Sequence, residues 1–276
     1  MSDNTVYLVT GANRGIGLHL TTLLLARPNT TVIATSRTPS ITPGTLPGPP
    51  HPTSKLVPFL LDEADPSINH ASLRARLAAE HPDVTRLDVV VANAGGSSGF
   101  KDVLGTAPEE MARDFEVNAL GPARLFRAVE GLLLRGEEGQ GGDGGDSAGG
   151  EEGKKKMEAR GKALKRFVLI TSSVGSIGSL EMECLPGVGY GMSKAAANWW
   201  ARRVSLEFAG KGLVVGILHP GWVKTAMGQA IADAVGFPEP PLSQEESAKG
   251  VLEQIDNLTP EKSGQFLTYN GMSLPW

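Results

Sequence analysis

The sequence predicts one large α/β domain, and three observations carry that reading. The length, 276 residues, falls within the range of a single such domain. Short β-rich runs alternate with helical patterns from Thr5 to Tyr269. The first of these runs ends in a cluster of glycines that opens directly into a helical pattern, which is strand, turn and helix in succession.

Composition bounds the function classes. With 40% hydrophobic and 20% charged residues the chain can bury a full core. A net charge of -4 provides no basic field for nucleic acid, and no apolar run is long enough to span a bilayer. Met1-Ser2-Asp3-Asn4 leads straight into an apolar strand, with neither the hydrophobic region of a signal peptide nor an arginine-rich presequence, so the expected location is the cytoplasm. Cys184 is the single cysteine, which excludes an internal disulfide framework and a cysteine-cluster zinc site. The histidines at 19, 51, 70, 81 and 219 include no pair four residues apart, and no protein-held metal is expected.

Taken in order, Thr5 to Thr10 is the first strand. Glycines 11, 15 and 17 in Gly11-Ala12-Asn13-Arg14-Gly15-Ile16-Gly17 permit a tight turn and close backbone approach. They leave free N–H groups, and the positive end of the helix Leu18 to Ala26, facing a pyrophosphate. The second strand, Thr31 to Thr35, ends at Ser36-Arg37. A carboxylate here would accept from a ribose 2′-hydroxyl, whereas an arginine offers a planar charged fork to a 2′-phosphate. Arg37 therefore points to NADP(H), with Arg14 in the turn adding a second charge; the alternative is that both are solvated surface arginines.

Residues 38–55 form a Pro-rich loop through which no helix can run, and Leu56 to Leu61 is a third strand that Pro58 assigns to a sheet edge. Asp62 follows, where an aspartate also caps a turn or a helix ahead of Pro66-Ser67. After a helical pattern over Ser67 to Glu80 comes a fourth strand, Leu87 to Val91, apolar enough to be covered on both faces. It ends in Ala92-Asn93-Ala94-Gly95-Gly96, where small residues let the chain pass close to a cofactor and the Asn93 amide can brace the neighbouring strand. Glu109 to Glu116 is helical, Val117-Asn118-Ala119-Leu120-Gly121-Pro122 signals a local kink, and a helical run continues to Leu134.

Residues 136–164 are rich in glycine and charge, cannot repay the entropy of ordering, and are expected to be a disordered insertion without chemistry. Arg166 to Thr171 is the fifth strand, delivering Ser172-Ser173-Val174-Gly175. A helix from Tyr190 to about Phe208 precedes a sixth strand, Leu213 to Leu218, and the loop His219-Pro220-Gly221-Trp222-Val223-Lys224-Thr225. Met227 to Pro241 is expected to be a lid, Gln244 to Asn257 a helix and Gly264 to Tyr269 the last strand. The tail to Trp276 either closes one side of a pocket or packs.

Tyr190-Gly191-Met192-Ser193-Lys194 opens the longest of these helices. Residues four apart share a face, so the Tyr190 phenol and the Lys194 ammonium project the same way. A phenol titrates near ~10, and a cation ~5 Å away at an effective dielectric of ~20 is worth ~3 kcal/mol. At ~1.36 kcal/mol per unit that lowers the phenol pKa by roughly two units, towards the range of efficient general acid–base catalysis.

The elements at 10–17, 92–95, 118, 171–175, 190–194 and 220–225, in this order over nearly the whole chain, resemble the motifs of the short-chain dehydrogenase/reductase family. The resemblance implies a single doubly wound Rossmann domain over 1–276 with a seven-stranded parallel sheet and a cofactor across the strand carboxyl ends. It implies cofactor contacts from Gly11, Asn13, Arg14, Gly15, Ile16 and Gly17, and from Asn93, Ala94 and Gly95 along the ribose. Asp62 would meet the adenine amino group, Val223 and Thr225 the nicotinamide carboxamide in the loop begun by Pro220 and Gly221, and Lys194 and Tyr190 the ribose. By the same resemblance Tyr190 donates the proton, Ser173, chosen over Ser172, hydrogen-bonds the substrate carbonyl, and the Asn118 carbonyl holds a relay water. Gly-Ala-Asn-Arg-Gly-Ile-Gly, Ser-Lys-Ala-Ala-Ala-Asn-Trp, Pro-Gly-Trp-Val-Lys-Thr and the Pro-Trp ending look like fungal ketoreductases similar to norsolorinic acid ketoreductase, and related insect carbonyl reductases. The implied activity is NADPH-dependent reduction of an aromatic or polyketide-derived ketone, in a homodimer or homotetramer. The alternative is an NADP(H)-binding sensor or scaffold without turnover.

Overall fold

Seven parallel strands form one sheet in the order β3-β2-β1-β4-β5-β6-β7 in this computed structural model, which describes residues 4–65, 67, 70–134, 164–183 and 185–276. The strands are β1 (Thr5–Val9), β2 (Thr30–Ser36), β3 (Lys55–Leu60), β4 (Val89–Ala92), β5 (Lys165–Ile170), β6 (Leu213–His219) and β7 (Phe266–Thr268). The helices are α1 (Gly15–Leu25), α2 (His70–Glu80), α3 (Pro108–Phe115), α4 (Gly121–Leu133), α5 (Val188–Glu207), α6 (Ala226–Val235) and α7 (Gln244–Asp256).

Strand periodicity sends alternate side chains to opposite faces, and here both faces are apolar. Val6, Leu8, Val90 and Ala92 join a core with Leu73 and Leu77 of α2, Leu125 and Val129 of α4, and Ala197 and Ala201 of α5. Tyr7, Val9, Val89 and Val91 join a second core with Leu20 and Leu24 of α1 and Val251 and Ile255 of α7. The sheet is therefore wound on both sides. Its order reverses between β1 and β4, which opens a crevice at their carboxyl ends.

Several local expectations have visible physical grounds. Pro58 pairs with Ala34 on the edge strand β3, where a missing N–H is tolerated. The kink expected near Asn118 is a π-turn over Glu116–Leu120, with Gly121 and Pro122 in the first turn of α4. The expected lid carries α6, begun by the Thr225 hydroxyl accepting from Gly228 N–H at 3.0 Å and ended by Gly236 at φ 69°. The insertion expected at 136–164, except for Leu164, lies outside the described residues, as does Cys184. No described helix is long and apolar enough to cross a membrane.

At the amino ends of the strands, Asp88 ties three of them together. Its carboxylate accepts from Val6 N–H at 2.9 Å and from Lys165 Nζ at 2.6 Å. Burial alone would raise its pKa; the Lys165 and Val6 contacts outweigh that and hold it below the usual carboxylate range. A depressed folded pKa contributes stability above the unfolded value and loses it as pH falls through the folded one. Asp88→Ala is expected to lower stability by about 2 kcal/mol in urea unfolding near neutral pH, and the difference from wild type should shrink on acidification.

Candidate active site

The glycine turn is shaped for close approach. Gly11 and Gly15 sit at φ 60° and 58°, and a Cβ at Gly17 would lie 2.3 Å from the Gly11 carbonyl oxygen and 2.5 Å from Asn93 Nδ2. Asn93 Nδ2 donates to the Thr10 carbonyl at 2.8 Å, while the Thr10 hydroxyl accepts from both Asn93 and Ala94 N–H at 3.0 Å. The amide thus braces β4 against β1, as its position in sequence suggests. The amino end of α1 has no side-chain cap and no acidic residue in its first turn. Its leading N–H groups have no partner within the helix, so the end is suited to an anion. Gly15 faces the loop after β6, since a methyl there would meet Thr225 Cγ2 at 3.5 Å. Arg14 and Arg37 are both exposed; Asp62 is exposed too, and accepts from Ala64 N–H at 3.1 Å as a turn aspartate does.

Beyond this cradle, the first turns of α5 lie against the loop that leaves β5. A Cβ on Gly175 would come within 2.7 Å of Lys194 Cβ, so only glycine permits the contact. From α5, Lys194 Nζ donates to the Ile170 carbonyl at 3.1 Å and lies 5.7 Å from the centroid of the Tyr190 ring. Phe100 meets the same ring edge-on at 5.8 Å. Ser193, between them, donates to the Tyr190 carbonyl at 2.7 Å and accepts from Asn118 Nδ2 at 2.9 Å. Asn118 is fully buried, and its amide also pairs with Gly96 in both directions, at 2.9 and 2.8 Å. Gly95 leaves room for this cluster, because a methyl there would stand 3.1 Å from Asn118 Oδ1 and 3.5 Å from Lys194 Nζ.

Two expectations can be set against this geometry. Ser173 is expected to hydrogen-bond the substrate carbonyl, whereas the hydroxyl that acts on the Tyr190 phenol, against the effect of burial, is that of Ser172. Ser172 is extended (φ -150°, ψ 147°) and its hydroxyl accepts from Val174 N–H at 3.3 Å as the cap of a short 3₁₀ turn. Ser173 lies inside that turn, with its N–H donated to His219 Nδ1 at 3.1 Å. The electrostatic expectation needs correction. Burial, aided by Asp114 and opposed by the Ser172 hydrogen bond, pushes the phenol up to about 12. Burial likewise draws the Lys194 amine down to about 8, opposed by Glu63. The lowering by roughly two units expected from a neighbouring ammonium omitted the desolvation of both groups. At neutral pH the phenol keeps its proton, which is the form that can donate.

Glu63 is a buried ionisable group that sequence reasoning passed over, for it stands in the acidic run Asp62–Asp65 that reads as a solvated turn. Neither of its carboxylate oxygens has a hydrogen-bond partner of ordinary geometry. Burial raises its pKa to about 7, tempered by the Thr10 hydroxyl, which completes no hydrogen bond of that kind, and by the Lys194 charge. Among the described residues no group of three or more His, Cys, Asp or Glu is placed to hold a metal ion.

A family profile described as short chain dehydrogenase matches residues 5–141. Norsolorinic acid ketoreductase nor1 of Dothistroma septosporum is 34% identical over 100% of this chain and 94% of its own length. Short-chain dehydrogenase RED3 of Pyricularia oryzae is 30% identical, with 100% of each chain covered. Among solved structures, the NADPH-bound carbonyl reductase from chicken fatty liver superposes with a TM-score of 0.75 at 28% identity, covering 99% of each chain.

The two serines are separable by experiment. Ser172→Ala removes a hydroxyl that lowers the phenol pKa, so the Tyr190 titration in ultraviolet difference spectra should move still higher. Ser173→Ala should leave it in place, with Tyr190→Phe identifying the transition.

Proposed function

This chain belongs to the short-chain dehydrogenase/reductase family, and we propose that it reduces an aromatic or polyketide-derived ketone to a secondary alcohol with NADPH. Membership makes it an oxidoreductase dependent on a nicotinamide cofactor and acting on small molecules. The observation that carries the finer reading is the buried Tyr190 phenol, with Ser172 acting on its pKa and Lys194 flanking its ring, at the strand end next to a glycine cradle.

The residues present fit the cofactor. Gly11, Asn13, Gly15, Ile16 and Gly17 with the amino end of α1 would hold the pyrophosphate, and Arg14 and Arg37 the 2′-phosphate. Asp62 would take the adenine edge; Asn93, Ala94, Gly95, Tyr190 and Lys194 the riboses; and Pro220, Gly221, Val223 and Thr225 the carboxamide end. When bound, the cofactor supplies hydride to the carbonyl carbon. The chain supplies the rest. As negative charge grows on the carbonyl oxygen, Ser172 donates a hydrogen bond to it and Tyr190 transfers its proton to the same atom. Lys194, cationic below about 8, stabilises the phenolate left behind. Asn118, tied to Gly96 and Ser193, keeps the π-turn against the first turn of α5, where its carbonyl would hold the relay water.

The relative named norsolorinic acid ketoreductase supports a ketone as substrate. An apolar, aromatic substrate would suit the exposed side chains of Leu104, Ile177, Leu180 and Met182 on the segments that follow Phe100 and Ser172 in the chain.

Tyr190→Phe should bind NADPH, read by nucleotide fluorescence, yet lose about 10²- to 10⁴-fold in kcat with a panel of aryl ketones. Ser172→Ala should lose about 10²-fold or more, and Ser173→Ala far less. Turnover in Tyr190→Phe equal to wild type would sink the mechanism, and no turnover in either would favour a sensor. Arg37→Asp should erode the preference for NADPH over NADH in steady-state kinetics; a wild type that already prefers NADH contradicts the assignment.

A further inference from the structure

His219 is a titratable group at the edge of the site that the mechanism above does not use. It is the last residue of β6, and strand alternation puts it on the face of Val215 and Ile217, the face that α5 covers. The ring is only partly hidden from solvent, yet protein atoms surround it closely enough for burial to bring its pKa down to about 4. At neutral pH it is therefore the neutral imidazole, with one nitrogen free to accept. Its Nδ1 is that acceptor, taking the Ser173 N–H at 3.1 Å, which leaves the ring proton on Nε2.

The bond stands where a backbone ladder gives out. β5 and β6 run parallel with Ile170 beside Leu218, and Thr171 N–H donates to the Leu218 carbonyl at 2.8 Å. In a parallel ladder the next donor on the same edge is two residues on, at Ser173, and its acceptor would be the Pro220 carbonyl. That carbonyl is already taken by the Ser247 hydroxyl at 2.7 Å, and the chain turns away at Gly221, φ 87°. The imidazole supplies the missing rung.

Ser172 thus lies between two anchored peptides, with Thr171 N–H fixed to the Leu218 carbonyl and Ser173 N–H fixed to the ring. We propose that His219 is a positioning residue of the active site: by accepting the Ser173 N–H it sets the backbone of Ser172 and so aims the Ser172 hydroxyl at Tyr190. This rests on the ketoreductase reading only for its kinetic consequence. The clamp itself is a property of the fold, and it links the serine loop to the strand end that opens the loop 220–225.

The test compares His219→Asn, whose side-chain carbonyl lies close to where Nδ1 was, with His219→Leu, which has no acceptor. His219→Gln, whose acceptor lies one bond further out, replaces Leu should that variant not fold. In the full chain, Leu or Gln should lower kcat about 10- to 100-fold, as expected when a catalytic group is misplaced, while the NADPH Kd and ketone KM stay within about twofold. Asn should recover most of the loss. Hydrogen–deuterium exchange over residues 171–176, which needs no turnover, should show protection in wild type and Asn and its loss in Leu or Gln. Equal protection in all variants, or an Asn variant as slow as Leu, overturns the proposal. A wild type inactive on every ketone would instead sink the ketoreductase reading, and the exchange data would still judge the clamp.

Discussion

Helix α5 serves the cleft because its first turns pack backbone to backbone against the loop leaving β5. At Gly175 the separation is so small that a single methyl would overlap Lys194 Cβ, and at Gly191 one would press to 3.1 Å from the Val174 carbonyl oxygen. Overpacking of this kind costs roughly 1–3 kcal/mol or forces the elements apart. Everything chemical at this edge follows from the approach. It lets the Lys194 ammonium reach the Ile170 carbonyl and sets the Tyr190 phenol against Ser172. The π-turn holds the same helix turn from the other side, through Asn118 and Ser193. A π-turn widens the helix locally, which turns a side chain inward that a regular α-helix would have carried past.

The tight packing also decides the electrostatics. The phenol, the amine and the Glu63 carboxyl all shift towards their neutral forms, to about 12, about 8 and about 7, and burial is the leading cause each time. Their mutual charges act in the opposite sense: Glu63 supports the charge on Lys194, and Lys194 supports the charge on Glu63. A pairwise Coulomb estimate from helix spacing omits the larger effect, because the loss of hydration depends on the whole surroundings and not on one neighbour. A phenol that retains its proton at neutral pH is what a carbonyl reduction requires of its acid.

Much of the architecture was legible before any coordinates. The strand, glycine turn and helix at 5–25 rest on residues adjacent in the chain, and so do the edge position signalled by Pro58 and the helical irregularity at Asn118. The choice between Ser172 and Ser173 was not legible. Two neighbouring serines differ only in which side of the strand end they face, and that depends on where β5 stops and the 3₁₀ turn begins. Glu63 was hidden for another reason: three acids within four residues look solvated, and only the packed structure reveals that its side chain is buried.

The chain by itself determined its class, the alternation of strands and helices, the glycine cradle and the side of α5 that carries Tyr190 and Lys194. These follow from backbone preferences and periodicities that act over a few residues. Tertiary structure alone decided which serine meets the phenol, which way the buried groups titrate, and that His219 completes a ladder 46 residues away from its own position. Hydrogen-bond partners and solvation are set by atoms brought together from distant parts of the chain, and no local pattern encodes those distances.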